Sequence, residues 1–355
     1  MEPKSWPGVL ETLLTPQDLT IGQAAWAMGE VVSGRAEPAQ LGAFLAALRA
    51  KRESVDELVG FRDAILEHAV PLAGDSLVLD IVGTGGDRHG TVNVSTMASI
   101  VCAAAGVPVL KHGNRAVSSL SGASDVLTEL GVIPADEDPA TVRAILAEAG
   151  ISFAWAMRFH PGFRHAGPVR AALGVSTVFN QLGPLVHPAR PEVTACGVAD
   201  RSRIQNFVGV FATRGGTAFV FRGEDGLDEL TTTGHSELWE VVRGDVVEHD
   251  VDPRELGIPL VSMADLVGGD AVANAETVRR TVAGEHGPVR DIVLLNAAAA
   301  LAAWRVNADP REGDRPMRER LQETMGVAAA AIDSGSAAAT LERWRTAASR
   351  VPTEA

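Results

Sequence analysis

An apolar run that ends directly in glycines is the feature that most limits what this chain can fold into. Residues 77–82 read Leu-Val-Leu-Asp-Ile-Val, and residues 83–87 continue as Gly-Thr-Gly-Gly-Asp. A short β-rich run bounded by glycine is typical of a strand, and the glycines let the backbone approach a ligand closely at positive φ. Residues 93–96, Asn-Val-Ser-Thr, precede a helix predicted over residues 97–105. We therefore expect a strand, a glycine loop and a capped helix that together form a phosphate cradle.

The pattern of apolar residues, and with it the predicted secondary structure, changes at about residue 70. Before that point apolar residues repeat at helical spacing and strand patterns are missing, which predicts a small helical bundle. One helix is expected over residues 55–66, because Ser54 can cap it and Asp56 and Glu57 oppose its dipole. After residue 75 strand-like and helical segments alternate. This alternation predicts an α/β domain with a mostly parallel central sheet.

Two domains follow from this division: an N-terminal helical domain over residues 1–72 and an α/β domain over residues 73–355. A helical region around residues 163–190 is expected to pack with the first domain. The further elements predicted in the second domain are strands at 107–110, 151–155 and 217–221, helices at 123–130, 139–149 and 203–212, and a hairpin of residues 238–242 and 245–249. The hairpin turns at Arg243-Gly244 and is expected at a sheet edge.

Composition and charge exclude several classes of function. The chain has 31 Lys and Arg against 45 Asp and Glu, a net charge of -14, which argues against a general nucleic-acid or anionic-membrane surface. Only two cysteines are present, Cys102 and Cys196, both inside apolar stretches, so a disulfide framework and a cysteine zinc site are excluded. The first residues lack the build of a signal peptide, and no apolar run reaches the roughly 20 residues of a membrane span. A reduced, cytoplasmic protein is expected.

A second polar segment is predicted at the same edge of the sheet as the glycine loop. Residues 111–115, Lys-His-Gly-Asn-Arg, follow the strand at 107–110, and Lys111 and Arg115 supply local positive charge. A solvated turn with two incidental cations is the alternative interpretation. The adjacent acids Asp228 and Glu229 follow the strand at 217–221. Alone they could be ordinary surface residues, but beside a polyanion site such carboxylates can hold hydrated Mg²⁺.

Taken together, these segments resemble the anthranilate phosphoribosyltransferase family. The resemblance rests on the order and spacing of residues 80–87, 93–96, 111–115 with 118–119, 167–170 with 173–174, 179–185 and 226–230. It implies the fold of the nucleoside phosphorylase-like phosphoribosyltransferases. It also implies transfer of the phosphoribosyl group of 5-phosphoribosyl-1-pyrophosphate (PRPP) to the amine of anthranilate in tryptophan synthesis, by a magnesium-dependent, cytoplasmic homodimer.

The resemblance also implies the site residues. PRPP would be bound by Gly83, Gly86, Asp87, Thr91, Asn93, Val94, Ser95, Thr96, Lys111, His112, Gly113, Asn114, Arg115, Ala116, Val117, Ser118, Ser119 and Ala123. Anthranilate would contact Gly83, Asn114 and Arg170, the last on a helix predicted over residues 163–173, and magnesium would be held by Ser95, Asp228 and Glu229. An arylamine is neutral at pH 7 and needs no strong base, so catalysis is expected to consist of positioning and leaving-group electrostatics, with Lys111 and His112 in support.

Several residues depart from the family pattern or leave their role open. His187 stands where the family commonly has Asn, and Arg88-His89 makes the end of the glycine loop bulkier and more basic. A structural role is favoured for His160 and His165, whereas His112 could either bind substrate or brace its segment. The alternatives to the transferase are a pyrimidine nucleoside phosphorylase of the same fold and a non-catalytic paralogue that binds a nucleic acid or a protein.

Overall fold

Four capped helices open the chain. The computed structural model describes residues 4–72, 74, 77–114, 122–133 and 138–351, and its first helices are α1 (Trp6–Leu14), α2 (Ile21–Val32), α3 (Pro38–Lys51) and α4 (Val55–Glu67). Ser54 accepts a hydrogen bond from the N–H of Glu57, and the Glu57 side chain accepts one from the N–H of Ser54. This reciprocal pair is the capping box that starts α4 at the predicted residue.

A single seven-stranded sheet forms the centre of the second part of the chain. The strands are β1 (Leu79–Gly83), β2 (Val109–Gly113), β3 (Ile151–Trp155), β4 (Val193–Gly197), β5 (Thr217–Gly223), β6 (Ser236–Val242) and β7 (Asp245–Val251). Their order is β3-β2-β1-β4-β5-β6-β7, with β1 to β5 parallel and the β6–β7 hairpin antiparallel. Arg243 and Gly244 turn the hairpin at φ 51° and 100°, as two-residue hairpin turns require. The predicted α/β architecture and the hairpin are confirmed.

Eleven further helices are found in the described residues of this part. They are α5 (Val94–Ala104), α6 (Ala123–Glu129), α7 (Pro139–Ala149), α8 (Ala156–Phe159), α9 (Gly167–Leu173), α10 (Phe179–Leu182), α11 (Ile204–Ala212), α12 (Ala271–Val282), α13 (Pro288–Ala308), α14 (Met317–Asp333) and α15 (Ser336–Ser349). The single helix predicted over 163–173 is wrong. A 3-10 turn at Pro161–His165 precedes α9, because Pro168 lacks an N–H and starts a new helix.

Apolar clusters cover both faces of the sheet. On one face Leu79 and Ile81 pack with α5, α13, α14 and α15. On the other face Cys196 and Val220 share a cluster with α1 to α4, and Phe179 and Leu182 of α10 join the same cluster. Both cysteines are buried and free, as predicted. Among the described helices, none has the length and apolar character needed to cross a bilayer.

The strand order places a topological switch point between β1 and β4. From β1 the chain adds β2 and β3 on one side, and it then returns to add β4 and β5 on the other. Gly83 and Gly197 are paired at the carboxyl ends of these two strands. Ligands of open α/β sheets bind in the crevice that forms at such a point.

Candidate active site

Two glycines at the switch point make room for an acidic loop. A Cβ on Gly83 would collide with Oδ2 of Asp228, and one on Gly197 would collide with the main-chain oxygen of Asp228. Asp228 therefore occupies the crevice directly above the ends of β1 and β4, and only glycine at these two positions allows it.

The glycine loop is held open in front of this acid. Gly85 and Gly86 have φ values of 66° and 85°, and none of the described residues lies within 4 Å of where their side chains would be. The N–H of Thr84 donates to the carbonyl of Gly197 at 3.0 Å, and the N–H of Gly85 donates to Oδ2 of Asp228 at 2.6 Å. The loop thus presents its backbone to an open space, as the predicted cradle requires.

Asp228 and Glu229 form a buried acid pair. Burial and the nearby charge of Asp87 raise the pKa of Asp228 to about 6. Burial and the charge of Asp228 raise the pKa of Glu229 well above its usual range, while the charge of Lys111 and the nearby backbone N–H of Ser95 act in the opposite direction. Ser95 lies in the first turn of α5, so the predicted magnesium ligands Ser95, Asp228 and Glu229 come together.

The donor atoms of this group suit a hydrated magnesium ion. Mg²⁺ prefers hard oxygen ligands and usually binds through one or two carboxylates, with waters and substrate phosphates completing the shell. Asp228 and Glu229 supply two such carboxylates, and burial together with neighbouring acids raises the pKa of both, so a bound cation would favour their ionised form. No set of three His, Cys, Asp or Glu side chains in the described residues could hold a metal without such additional ligands. The residues therefore fit Mg²⁺ that arrives with a phosphate ligand.

Lys111 and His112 lie inside β2, so the prediction that they follow the strand on a loop is wrong. The strand continues to Gly113, and its alternation turns the two side chains to opposite faces of the sheet. Lys111 is buried, and its Nζ donates to the carbonyl of Ile81. Burial lowers the pKa of Lys111, while the charges of Asp80 and Glu229 raise it. Lys111 therefore balances carboxylates beneath the crevice instead of lining it.

His112 belongs to a cluster of three imidazoles on the other face of β2. Its ring centroid is 5.2 Å from that of His160 and 5.3 Å from that of His187. Nδ1 of His112 donates to the carbonyl of Gly183 at 3.2 Å, so Nε2 is the acceptor of the neutral ring. Burial lowers the pKa of His112 well below 6.5 and that of His160 to about 4. The cluster is therefore neutral at pH 7.

His187 is fixed in one tautomer by the main chain. Its Nε2 donates to the carbonyl of Leu110 at 2.8 Å, and its Nδ1 accepts from the N–H of Ala189 at 3.0 Å. A ring that donates at one nitrogen and accepts at the other is neutral. His187 therefore braces β2 beside His112.

An aromatic row leads from this cluster to Arg170. Phe163 stacks on His160 with centroids 5.0 Å apart and meets Phe179 edge-on at 5.5 Å. The Arg170 guanidinium lies over Phe179, 5.2 Å from the ring centroid. In the described part of the chain Arg170 has no acidic partner, and burial lowers its pKa. This cation beside an aromatic surface can receive a planar aromatic carboxylate.

Most of the other predicted site residues lie in the described part of the chain. Asn114 accepts a hydrogen bond from Nε1 of Trp155 at 3.1 Å, Gly113 packs closely on Phe153, and Ala123 begins α6. The Thr96 hydroxyl is buried with no hydrogen-bond partner in the described residues. Gly83, Gly86, Asp87, Thr91, Asn93 and Val94 lie on the glycine loop or at the start of α5. Arg115, Ala116, Val117, Ser118 and Ser119 lie outside the described residues.

The structure also describes the residues whose role the sequence left open or that depart from the family pattern. Nε2 of His89 lies 3.2 Å from the carbonyl oxygen of Asp225 and so ties the glycine loop to the acidic loop. Arg88 adopts a positive φ of 64°. His165 lies against Gly34 at the end of α2. Sequence reasoning missed Gly197 and Asn274, although a glycine that ends a second strand was a usable signal for the first.

Comparison with known proteins follows the same division of the chain. Residues 7–69 match the model of a glycosyl transferase family helical bundle domain, and residues 75–338 match that of the family's a/b domain. An anthranilate phosphoribosyltransferase of Leifsonia xyli subsp. xyli is 59% identical over 343 residues, covering 97% of this chain and 98% of the relative. One of Salinispora arenicola is 51% identical over 348 residues, covering 97% of each.

Solved structures agree with these matches. The crystal structure of anthranilate phosphoribosyltransferase from Thermus thermophilus superposes with a TM-score of 0.86 at 35% identity, covering 96% of this chain and 99% of that one. The Saccharomyces cerevisiae enzyme in complex with PRPP and Mg superposes with a TM-score of 0.87 at 26% identity, covering 98% of both chains.

Proposed function

Since this chain belongs to the anthranilate phosphoribosyltransferase family, we propose that the crevice above β1 and β4 is where it carries out the family's reaction. The chain transfers the phosphoribosyl group of PRPP to the amine of anthranilate and releases pyrophosphate, a step of tryptophan biosynthesis. This membership sets aside the nucleoside phosphorylase and the non-catalytic paralogue as alternatives.

The donor binds on the glycine-loop side of the crevice. The main chain of the glycine loop and the first turn of α5 offer N–H groups that can meet phosphate oxygens. The unpartnered hydroxyl of Thr96 is a further group at this helix end. We assign to the same subsite Gly83, Gly86, Asp87, Thr91, Asn93, Val94, Ser95, Lys111 to Ser119 and Ala123, with Lys111 acting through charge balance.

Magnesium belongs to this subsite. Asp228 and Glu229 would hold it, with Ser95 beside them, and bound Mg²⁺ would neutralise charge on the leaving pyrophosphate. The yeast relative was solved with PRPP and Mg. In this chain the N–H of Gly85 holds the Asp228 carboxylate in place, so this acid is oriented before a ligand arrives.

The acceptor binds on the aromatic side. Arg170 can bind the anthranilate carboxylate while Phe163 and Phe179 shape the wall beside it. Gly83 and Asn114 lie between the two subsites. His112 is neutral, and its Nε2 has no partner in the described residues, so it can accept a proton from the arylamine as the new C–N bond forms. Because the amine is already neutral, these residues orient it and need not activate it.

The buried acid pair is the observation that carries this proposal, because two adjacent buried carboxylates disfavour each other's ionisation and a metal bound beside them would relieve that cost. We expect the doubly substituted protein Asp228→Asn with Glu229→Gln to lose at least about 100-fold in kcat/KM for PRPP, with its residual activity insensitive to Mg²⁺. Loss of anthranilate fluorescence in the presence of PRPP measures the rate. Asp245→Asn, which removes an exposed acid from β7, is the matched control and should keep full activity. Unchanged turnover and magnesium dependence in the double variant would contradict the assignment.

We also propose that residues 1–72 and 73–355 act as two domains of a cytoplasmic homodimer. The α10 region shares an apolar cluster with α1 to α4, together with residues of α11 and of the sheet, and so forms part of the contact between them. Leu14 and Ile21 leave apolar side chains exposed on the helical domain, and an exposed apolar surface of this kind suits a partner subunit.

A further inference from the structure

The segment that leads into α12 is fastened to the segment that leads into α5. The N–H of Val92 donates to the carbonyl of Leu266 at 3.0 Å, and the N–H of Gly268 donates to the carbonyl of Gly90 at 2.8 Å. Thr91 forms an antiparallel bridge with Val267 between these two bonds. The end of the glycine loop is therefore attached to a part of the chain that the sequence motifs did not include.

Asn274, in the first turns of α12, connects these segments through its side chain. It is only 3% exposed. Its Oδ1 accepts from the N–H of Gly269 at 2.8 Å, and its Nδ2 donates to Oδ1 of Asn93 at 2.9 Å. Because the Gly269 N–H needs an acceptor, the oxygen of the Asn274 amide must face Gly269. The NH₂ group of Asn274 therefore faces Asn93. Gly268 leaves the space, since a Cβ there would lie 2.7 Å from Oδ1 of Asn274.

This contact changes what Asn93 does. Asn93 is the N-cap residue of α5, but its side chain makes no capping hydrogen bond. An asparagine at this position usually accepts from an N–H of the first turn. Here the oxygen that would do so is bound to Asn274, while the Nδ2 donor of Asn93 has no partner in the described residues. The missing cap therefore leaves the N–H of Thr96 available in the first turn of α5, whereas that of Val94 donates to the carbonyl of Val92 at 2.8 Å.

We propose that Asn274 is a positioning residue of the PRPP subsite. By holding Oδ1 of Asn93, it directs the Asn93 NH₂ group toward the phosphoribosyl donor and leaves the α5 N-terminus free for phosphate oxygens. The proposal rests on the proposed function of the crevice. Asn274 itself touches neither substrate, because its two polar atoms are both occupied by the protein.

A purely structural role would need an acceptor for the Asn274 NH₂ group, but it would not need that acceptor to be the side chain of Asn93. A buried amide must have hydrogen-bond partners, since an unpaired one is costly. The bond to Gly269 alone would serve to turn the chain into α12. The bond to Asn93 joins residues 181 positions apart, and it ends on a side chain of the proposed donor subsite. The two roles separate in experiment, because only one of them is transmitted through Asn93.

A double-mutant cycle tests the proposal. In Asn274→Asp one carboxylate oxygen still accepts from the N–H of Gly269. The second carboxylate oxygen has replaced a donor and can only accept. Asn93 must therefore turn its NH₂ group toward position 274 and present its oxygen to the crevice. We expect the PRPP dissociation constant, measured by calorimetry with Mg²⁺ and without anthranilate, to rise at least about tenfold. The anthranilate KM should stay within about twofold. In the Asn93→Ala background the same substitution should change PRPP binding by less than about threefold.

The controls separate this proposal from the proposed function. Asn307→Asp adds a carboxylate at a site where Oδ1 also accepts a hydrogen bond, from the Thr217 hydroxyl, and should leave PRPP binding unchanged. If Asn274→Asp does not fold, Asn274→Ser takes its place in the cycle. An equal loss with and without Asn93, or no loss at all in a protein that binds PRPP normally, would overturn the positioning role. Failure of the wild-type protein to bind PRPP would instead overturn the proposed function.

Discussion

Replacing Asp228 with asparagine should stabilise the unliganded protein while it weakens donor binding. Asparagine has nearly the shape of aspartate, and its Oδ1 can still accept from the N–H of Gly85. What it removes is a charge that burial and the neighbouring Asp87 disfavour. The substitution therefore separates the cost of the carboxylate in the fold from its use in binding.

The size of the stabilisation follows from the pKa of the carboxyl group. A rise from 3.8 to about 6 corresponds to about 3 kcal/mol of unfavourable free energy once the group is ionised. Because the entropy of unfolding is about 2.1 cal/mol/K per residue, 355 residues convert this to a rise in Tm of about 4 °C. Glu229 adds to the gain, since the charge of Asp228 raises its pKa as well.

The effect should depend on pH with a defined sign. The folded-state pKa of Asp228 is raised, so wild-type stability is complete below the unfolded value of 3.8 and falls as the pH rises through about 6. The variant lacks this fall. Thermal unfolding of both proteins without ligands should show the full Tm difference near pH 8, and about half of it near pH 5.

Asp138, a carboxylate whose pKa is lowered and not raised, provides the control. Asp138 caps α7 and accepts hydrogen bonds from Thr141 and Ala140, which lower its pKa. Asp138→Asn should therefore leave Tm unchanged or lower it, whereas Asp228→Asn raises it. With Mg²⁺ and PRPP added, the Tm of the wild type should rise and that of Asp228→Asn should not. A less stable Asp228→Asn protein near pH 8, or a gain that is the same at both pH values, would refute the reasoning.

The other two predictions concern the acceptor side. Arg170→Ala should raise the anthranilate KM at least about tenfold and leave the PRPP KM within about twofold. Arg170→Lys should lie in between, because lysine keeps the charge without the two-pronged geometry. Steady-state kinetics with each substrate varied would show the reverse pattern if the two subsites are exchanged. His187→Asn should raise the pKa of His112, since His187 contributes to lowering it. The acid limb of the pH–rate profile should therefore move to higher pH. An unmoved limb would contradict this effect of His187 on His112.

The fold was predictable where local chemistry and periodicity agree. The predicted bounds of α7 and β3 match the structure, because Asp138 caps α7 and Gly150 ends it at a φ of 76°. The predicted bounds of helices were wrong where residues typical of a cap belong to the helix itself. The helix after the glycine loop begins at Val94, three residues before the predicted start, because hydroxyl and branched residues that are typical of caps form its first turn.

The site was predictable as a set of residue types but not as a geometry. Lys111 was identified from its charge, yet strand β2 carries it into the core, where its partners are Ile81, Asp80 and Glu229. Those partners come from separate parts of the chain, and no local pattern indicates that they meet. Asn274 was missed for the same reason, because its significance lies in a contact with Asn93 across 181 positions.

Burial and neighbouring acids disfavour the ionised form of Asp228 and Glu229 in the unliganded crevice, and this bears on how an acidic chain binds a polyanion. Burial and the charges of Asp87 and Asp228 raise the pKa values of the acid pair, and Lys111 is the cation that most directly opposes this rise at Glu229. Metal-free PRPP would meet repulsion there, whereas a donor that arrives with Mg²⁺ removes it. By linkage, whatever factor Mg²⁺ contributes to PRPP affinity, PRPP contributes equally to Mg²⁺ affinity. If the acid pair holds the metal as proposed, the cost of its ionisation would also make the two ligands depend on each other for binding.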